Sequence, residues 1–374
     1  MIQRILTDEI AAHFNRKKII VILGARQVGK TTLLEQLSQG QDRILNLNCD
    51  EDDNRTLIEH KTSTELKQLF AGYSLVCIDE AQRVENIGLT LKIIGDMKPD
   101  AKIIVTGSSS LDIADKINEP ATGRLIEFNL YPLSMAELAR NTSQKDETRL
   151  LEQRLIYGTY PEVVTDPNFA KKTLLTLTNS YLYKDILSFN GMRKPEVLMK
   201  LVKALALQAG SEVSYNELSS LVGINKETVD NYISLLEKCF VVFRLDSFSR
   251  NQRNEIKKGK KIYFYDNGIR NAVLSNFAPL ELRNDCGALW ENFLVSERKK
   301  RNAYCGSYAQ LYFWRTHDQK EIDLVEEEDG VLRTFEFKWN PKKKNAKIPD
   351  QFAQSYPNHE FKVITKDNMW EFVI

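Results

Sequence analysis

The chain has 374 residues, of which 42% are hydrophobic and 28% are charged. This length predicts two or three domains, and the composition is that of a globular protein, which excludes an intrinsically disordered chain. The net charge is +1, from 52 basic and 51 acidic residues, so the overall charge indicates no class of partner. The five cysteines include no C-x-x-C pair, which argues against zinc and against a disulfide framework and suits a reducing cytosol.

The first residues do not form a signal peptide, because Asp8 and Glu9 interrupt what would be its apolar stretch. No apolar run approaches the ~18 residues that a membrane span needs. We therefore predict a cytoplasmic protein without a membrane partner.

The N-terminal part, residues 1–132, is predicted to be an α/β domain. Its short apolar runs are rich in β-branched residues and nearly continuous, which is typical of strands buried on both faces of a parallel sheet. The runs lie at 19–23, 43–48, 74–79, 101–106 and 124–130, and helical patterns such as 31–37 and 65–70 lie between them.

Three further domains are predicted from changes in pattern. Apolar residues recur at helical spacing in 133–194, which favours a small helical lid. Residues 195–284 read as three helices followed by two strand-like runs, a winged-helix pattern in which Ser214 and Asn225 begin the second and third helices. Residues 285–374 begin with a helix and continue with four strand-like runs.

A phosphate-binding motif follows the first predicted strand. Residues 24–31 fit G-x-x-x-x-G-K-[ST], and they lie between an apolar strand and an apolar helix. The glycines allow backbone N–H groups to curl around phosphate oxygens, and the helix directs its positive end at the anion. Lys30 is expected to reach the β- and γ-phosphates, and the Thr31 hydroxyl to ligate Mg²⁺. The predicted nucleotide-binding residues are Gly24, Ala25, Arg26, Gln27, Val28, Gly29, Lys30, Thr31 and Thr32.

The third predicted strand carries the partner motif, because its apolar residues end in Asp79 and Glu80. The carboxyl edge of an open α/β sheet is where its ligands bind. We expect Asp79 to hold the Mg²⁺ shell and Glu80 to orient or deprotonate the attacking water. A guanine-specific N-K-x-D loop is absent, since the nearest string, 225–228, lacks the aspartate. The motif pair therefore predicts ATP and Mg²⁺ as ligands.

The order of these motifs, followed by Thr106-Gly-Ser-Ser-Ser110, Gly123-Arg124-Leu and Leu130-Tyr-Pro-Leu133, resembles prokaryotic AAA-type ATPases that carry a C-terminal domain called DUF4143. The resemblance covers essentially the whole chain. It implies an AAA+ core with parallel strands in the order 5-1-4-3-2, a helical lid, a winged helix and a restriction-endonuclease-like C-terminal domain.

The resemblance also implies two further catalytic positions. Ser108 matches the polar sensor of the γ-phosphate, and the alternative is a serine that satisfies a strand-end turn. Arg124 matches an arginine finger or sensor, whose guanidinium would neutralise charge on the transferring phosphate in cis or in trans. The alternative for Arg124 is a surface arginine at a strand edge. An oligomer is left open.

DNA is a candidate partner of the predicted winged helix. The third helix has a polar leading face with Lys226, Thr228 and Asn231, and basic runs at 257–261 and 298–301 would supply phosphate contacts. Acidic residues at 227, 230 and 237 in the same helix oppose this interpretation, and charge runs are often only solvated faces. The alternative is a winged helix that docks against the lid.

The C-terminal domain contains Glu291, Asp323, Glu336 and Lys338, the residue types of a PD-(D/E)xK nuclease. Glu336 and Lys338 are two apart on a predicted strand and so share one face. Two carboxylates would hold Mg²⁺ while the lysine assists the attacking water. Two hypotheses remain: a nucleic-acid-linked ATPase, and a signalling or scaffold switch whose C-terminal domain cuts nothing and binds a protein.

Overall fold

The computed structural model describes residues 2–108, 123–180, 195–249, 259–316, 318–343 and 345–374. The chain divides into two compact units. The first contains Met1–Pro132 and Lys238–Phe240, and the second contains Leu133–Glu237 and Val241–Ile374. Within the described ranges, none of the helices combines the length and the hydropathy required to cross a bilayer.

A five-stranded parallel sheet forms the centre of the first unit. Its strands are β1 (Ile19–Leu23), β2 (Ile44–Asn48), β3 (Leu75–Asp79), β4 (Lys102–Gly107) and β5 (Leu125–Asn129). They lie in the order β2-β3-β4-β1-β5, so the predicted order 5-1-4-3-2 is confirmed. Every residue of β1, the strand between β4 and β5, is buried, as its continuous apolar run predicts.

The helices of the first unit are α1 (Leu6–Ala12), α2 (Lys30–Ser38), α3 (Asp52–Ile58), α4 (Ser63–Phe70) and α5 (Ile87–Met97). α4 begins at a capping box, in which the Thr62 side chain and the Glu65 backbone and side chain satisfy each other. α2 begins directly after the phosphate-binding motif, and its buried leucines pack on the sheet. The sheet and α2 therefore hold the motif between them.

The second unit begins with five helices: α6 (Met135–Asn141), α7 (Gln144–Arg149), α8 (Leu151–Tyr157), α9 (Pro161–Thr165) and α10 (Ala170–Ser180). This region is helical as predicted, and residues 181–194 lie outside the described residues. The next helices are α11 (Pro195–Leu207), α12 (Tyr215–Val222) and α13 (Lys226–Lys238). Ser214 accepts a hydrogen bond from the Glu217 N–H at the start of α12, and Asn225 accepts one of 2.7 Å from Thr228 at the start of α13. Both predicted helix starts are confirmed.

One seven-stranded sheet runs through the rest of this unit. Its strands are β6 (Glu212–Val213), β7 (Val242–Ser247), β8 (Lys260–Phe264), β9 (Gln310–Arg315), β10 (Glu321–Glu328), β11 (Val331–Phe337) and β12 (His359–Ile364). They lie in the order β12-β11-β10-β9-β7-β8-β6. β7 pairs in parallel with β9 through Asp246–Tyr312 and Ser247–Phe313. The sheet therefore crosses the boundary predicted at 284/285. The prediction of a separate winged helix and C-terminal domain did not include a sheet shared by both.

The remaining helices of the second unit are α14 (Asn267–Val273), α15 (Cys286–Tyr304), α16 (Asp350–Ser355) and α17 (Met369–Val373). Asp285, just before α15, accepts hydrogen bonds from Arg270 at 2.5 Å and Arg283 at 2.8 Å. Burial alone would raise the pKa of Asp285, but these two guanidinium groups outweigh it and lower the pKa to about 2. α15 is buried on most of its circumference, so its polar residues must find partners inside the unit.

Candidate functional site

The phosphate-binding loop lies between β1 and α2. Gly29 precedes α2 with φ of 94°, a conformation that glycine adopts without strain. A Cβ on Gly24 would come within 2.3 Å of the Leu130 carbonyl oxygen, so this position must be glycine for the loop to pack against the end of β5. Ala25 and Val28 are fully buried, which leaves backbone groups and the start of α2 to face an anion.

Three oxygen-bearing side chains meet at the carboxyl edge of the sheet. Thr31 Oγ1 donates to Asp79 Oδ2 at 2.9 Å, and Thr106 Oγ1 donates to the other carboxylate oxygen, Asp79 Oδ1. Hydroxyl and carboxylate oxygens are hard ligands of the kind that Mg²⁺ takes in nucleotide sites. The donor set of Thr31 and Asp79 therefore fits the ion for which the sequence predicts them, while the role of Thr106 was not predicted.

Lys30 and Glu80 lie beside this group. Lys30 is 5% exposed, and its Nζ donates to the carbonyl oxygens of Gly24 and Ala25 at 3.1 Å each. Glu80 Oε1 lies 4.0 Å from the same Nζ. The predicted phosphate-binding cation and the predicted base are thus neighbours at one end of the sheet.

Ser108 lies at the end of β4 and is buried, where the resemblance predicts a sensor. Gln82, which the sequence analysis missed, donates from Nε2 to both Glu80 Oε2 and Ser108 Oγ. Ser109 and Ser110 of the quoted motif lie outside the described residues. Nothing in the dipeptide Asp79-Glu80 indicates that the side chain of Gln82, two positions after Glu80, contacts the Glu80 carboxylate.

Arg124 lies away from this group. It precedes β5, whose first residue, Leu125, pairs with Ile19 at the start of β1, so Arg124 is at the edge of the sheet opposite the phosphate-binding loop. Its Nε donates to Asp96 at 2.6 Å. This placement argues against a finger or sensor acting in cis, because the amino edge of a parallel sheet does not reach a site at its carboxyl edge. A role in trans stays a prediction, and the placement fits the alternative of a surface arginine at a strand edge.

In the second unit, Glu291, Glu321 and Asp323 form what we call the carboxylate cluster. One oxygen from each lies within 4.8 Å of the other two. Glu321 was not predicted, and it lies two positions before Asp323 on β10. Between Ile322 and Val325 the register with β9 shifts by one residue, a β-bulge of the kind that redirects side chains.

Glu336 lies on the neighbouring strand, β11, and Lys338 follows the last residue of that strand. Leu324 pairs with Phe335, so Asp323 stands opposite Glu336 one step further along the antiparallel ladder. Lys338 Nζ bonds Glu336 Oε1 at 2.6 Å, which makes this pair a salt bridge beside the carboxylate cluster. Burial and the charges of Glu291 and Glu336 raise the pKa of Asp323 well above its usual range.

A lysine lies inside the carboxylate cluster. Lys261 is 1% exposed, and its Nζ bonds Glu291 Oε1 at 2.8 Å and also Glu321. Burial lowers the pKa of this ammonium, but the two carboxylates outweigh it and the pKa is raised. Tyr263 donates to the same Glu291 oxygen at 2.7 Å.

Burial and ion pairs also correct the prediction that the basic runs at 257–261 and 298–301 face DNA. Lys261 was expected in an exposed DNA-facing wing and is buried instead, while Lys260 pairs with Asp246 at 3.5 Å. Lys257 and Lys258 lie outside the described residues. In the run 298–301, Arg298 and Lys300 are buried in ion pairs with Glu326 and Glu297. Arg298 and Lys300 therefore lie inside the unit and do not form a solvated basic patch.

The sheet order and the site at its carboxyl edge define a P-loop core of the AAA type. Three family descriptions match successive parts of the chain: an AAA domain at residues 16–139, a domain of unknown function, DUF8612, at 148–280, and a domain of unknown function, DUF4143, at 286–372. The resemblance to AAA-type ATPases with a C-terminal DUF4143 domain is thereby confirmed.

Similar proteins come from several prokaryotes. An uncharacterized protein of Haemophilus influenzae is 27% identical over 335 residues, covering 82% of this chain and 79% of that protein. An uncharacterized protein of Mycobacterium tuberculosis is 25% identical over 328 residues, covering 87% of this chain and 71% of that protein.

Among solved structures, a Walker-type ATPase of Pyrococcus abyssi matches with a TM-score of 0.48 and 15% identity, over 73% of this chain and 96% of that one. An Orc1 protein of Aeropyrum pernix, solved in complex with DNA, matches with a TM-score of 0.32 and 10% identity, over 72% and 91%. Likeness at this level carries no conclusion about what this chain binds.

Proposed function

We propose that this chain hydrolyses ATP with Mg²⁺ at the phosphate-binding loop and uses the cycle to rearrange its domains. The observation that carries the proposal is the juxtaposition of Thr31, Asp79, Lys30 and Glu80, which come from two separate segments and meet at one edge of the sheet. This is the constellation that phosphoryl transfer to water requires: a cation for the phosphates, oxygen ligands for a metal, and a carboxylate for the nucleophile.

The roles follow from the chemistry of each side chain. When ATP binds, the Lys30 ammonium exchanges its two loop carbonyls for the β- and γ-phosphate oxygens, to which it makes charge-assisted hydrogen bonds. Thr31 and Asp79 would hold Mg²⁺, which would supply positive charge to offset the charge of the phosphates. Glu80 is then free of its ammonium neighbour and accepts a hydrogen bond from the water that attacks the γ-phosphorus.

Two substitutions separate binding from chemistry. Lys30→Ala should abolish ATP binding in a fluorescent-nucleotide titration, because it removes the point charge on the phosphates. Glu80→Gln should keep the affinity for ATP within about twofold and reduce turnover by a factor of ~10²–10⁴, the usual contribution of a positioned base. A Glu80→Gln protein that releases phosphate at the wild-type rate would overturn the role of Glu80.

For the C-terminal domain, one observation favours the second candidate, a switch whose carboxylate cluster cuts nothing. The Lys261 ammonium bonds two of the three carboxylates at the position where a nuclease would hold its metal. A buried pair of this kind is stabilised by mutual attraction only when its geometry is good, and removing one member is costly. We therefore propose that this domain serves as a binding module. Cleavage of single- or double-stranded DNA or RNA by the wild-type protein with Mg²⁺ or Mn²⁺, abolished by Asp323→Asn, would contradict this.

The link to nucleic acid rests on the leading face of α13. Lys226 and Asn231 are exposed there, while Arg244 forms ion pairs with Asp230 at 2.6 Å and Glu237 at 2.8 Å and so offsets two of the opposing charges. DNA binding at this face should weaken steeply as salt rises. Lys226→Ala should reduce the slope of log affinity against log salt by about 1, and an unchanged slope would remove this face from the contact.

A further inference from the structure

Gln82 joins two residues of the nucleotide site. It lies in the single 3-10 turn Ala81–Arg83 that follows Glu80. Its Nε2 donates to Glu80 Oε2 at 2.5 Å and to Ser108 Oγ at 2.9 Å. The orientation of the amide follows from chemistry, because an ionised carboxylate only accepts hydrogen bonds and must therefore face the NH₂ group.

The backbone around Glu80 is held independently of Gln82. Glu80 has φ of 52°, an uncommon conformation for a residue with a side chain. Its N–H lies 3.1 Å from Asp79 Oδ1 and 3.3 Å from Thr106 Oγ1, which ties the main chain to β3 and β4. The main chain is thus fixed, and the direction of the Glu80 carboxylate depends on its side-chain neighbours, Gln82 and Lys30.

Lys30 cannot keep this role during turnover, because its ammonium is the group that moves to the phosphates. Among the residues that the structure describes, Gln82 then remains as the side-chain hydrogen-bond donor to Glu80. The second hydrogen of the same amide reaches Ser108, which the resemblance places at the γ-phosphate. One rigid, planar group therefore spans the carboxylate and the serine hydroxyl.

We propose that Gln82 is a positioning residue that holds the Glu80 carboxylate in a fixed position relative to Ser108. Glu80 then activates the attacking water only beside the γ-phosphate that Ser108 contacts. This inference rests on the proposed ATPase function. Gln82 Oε1 is buried and accepts no hydrogen bond from the described residues. An unpaired buried oxygen is unfavourable, which fits a side chain placed for the site and not for packing.

The test uses the 374-residue chain and two substitutions of similar size. Gln82→Met keeps the length and loses both donors, and Gln82→Glu places a second carboxylate against Glu80. The matched control is Gln41→Met, because Gln41 makes a comparable side-chain bond of 2.9 Å, to Lys102 at the start of β4, at the opposite edge of the sheet. Nucleotide affinity, kcat, KM and Tm are measured for each protein.

We expect Gln82→Met to lower kcat by a factor of ~10–10², the usual effect of displacing a catalytic group by about 1 Å. KM, the affinity for ADP and Tm should stay close to wild type, and the affinity for ADP with aluminium fluoride should fall with kcat. Gln82→Glu should lower kcat at least as much, and Gln41→Met should not lower it. The double variant Gln82→Met, Ser108→Ala should be no slower than the worse single variant, since both changes break the same connection.

The outcomes separate this inference from the function on which it rests. A wild-type protein that does not hydrolyse ATP, or one whose rate survives Glu80→Gln, would overturn both. If Glu80→Gln abolishes hydrolysis while Gln82→Met keeps kcat within twofold, only the positioning role is wrong. Equal losses of Tm and of ADP affinity in Gln82→Met would assign Gln82 a structural role, as would additive effects of Gln82→Met and Ser108→Ala.

Discussion

Replacing Lys261 by methionine should convert the carboxylate cluster into a site that binds a divalent cation. Methionine keeps much of the length and apolar surface of the lysine stem but has no ammonium. Glu291, Glu321 and Asp323 would then face one another with oxygens within 4.8 Å and without the ammonium that now lies among them, although Arg315 Nε stays 3.7 Å from the second oxygen of Glu321. Like charges at this distance repel, so the variant should lose stability and gain affinity for a metal that offsets the charge.

The expected loss of stability follows from the burial of the Lys261 ion pairs, and the recovery follows from the metal concentration relative to its Kd. Removing one partner of a buried ion pair costs about 3–5 kcal/mol. In a unit of this size 1 kcal/mol corresponds to about 2–4 °C, so Tm should fall by about 6–20 °C. Mn²⁺ at a hundred times its Kd would restore about 2.7 kcal/mol, or about 5–11 °C.

The assay is thermal unfolding of wild type, Lys261→Met and the control Lys260→Met, each titrated with Mn²⁺ and Mg²⁺ in the presence of saturating ADP. Lys260 is the neighbouring lysine, and its more exposed pair with Asp246 should be worth about 1 kcal/mol or less. We expect a metal-dependent rise in Tm for Lys261→Met, and no such rise for wild type or for Lys260→Met. Adding Glu321→Gln to Lys261→Met should abolish it.

Two results would refute this reasoning. If wild type itself is stabilised by Mn²⁺ as strongly as Lys261→Met, the ammonium does not occupy the place of the ion, and a nuclease becomes the better hypothesis. If Lys261→Met melts lower but gains nothing from either metal, the three carboxylates do not converge well enough to hold an ion.

Three further outcomes are expected. Arg124→Ala should leave kcat of dilute protein unchanged, since Arg124 lies at the far edge of the sheet; a defect that appears only as protein concentration rises would show that it acts in trans. Gly24→Ala should abolish nucleotide binding while the protein still folds, because the new Cβ would meet the Leu130 carbonyl at 2.3 Å, and retained affinity would contradict this packing argument. Asp285→Asn should lower the free energy of unfolding at pH 7 by about 1–2 kcal/mol after allowance for solvent screening. Because the pKa of Asp285 falls from 3.8 to about 2 on folding, this difference between wild type and variant in urea unfolding should be full above pH 3.8 and shrink below it; a difference that is the same at all pH values would refute the assignment.

The first unit was predictable from the sequence because its signals are local. The run 19–23 is entirely apolar and forms a strand with every residue buried. The phosphate-binding motif is one contiguous string between that strand and α2. Asp79 ends another apolar strand, so the parallel sheet alone brings it to Thr31.

Only part of the carboxylate cluster was predicted from the sequence. Glu321 could have been found, since it lies two positions before Asp323 on the same strand, although the β-bulge between Ile322 and Val325, which redirects side chains here, has no signature in the sequence. Lys261 could not have been found, because it comes from β8, sixty positions before Glu321, and stood in a run of lysines that looked solvent-exposed. A charged run reveals its burial only when its partners, such as Glu326 for Arg298, are known.

The parallel pairing of β7 with β9 bears on how this protein can be dissected. Two sequence families divide the chain between residues 280 and 286, yet the backbone hydrogen bonds of one sheet pass from one side of that division to the other. A fragment that begins at 286 would leave β9 with an unsatisfied row of N–H and C=O groups, and the complementary fragment would leave β7 the same way. Open sheet edges recruit other chains. The boundaries of the sequence families therefore differ from the boundaries of the folded unit in this protein. A fragment cut at a family boundary would expose an open sheet edge and aggregate.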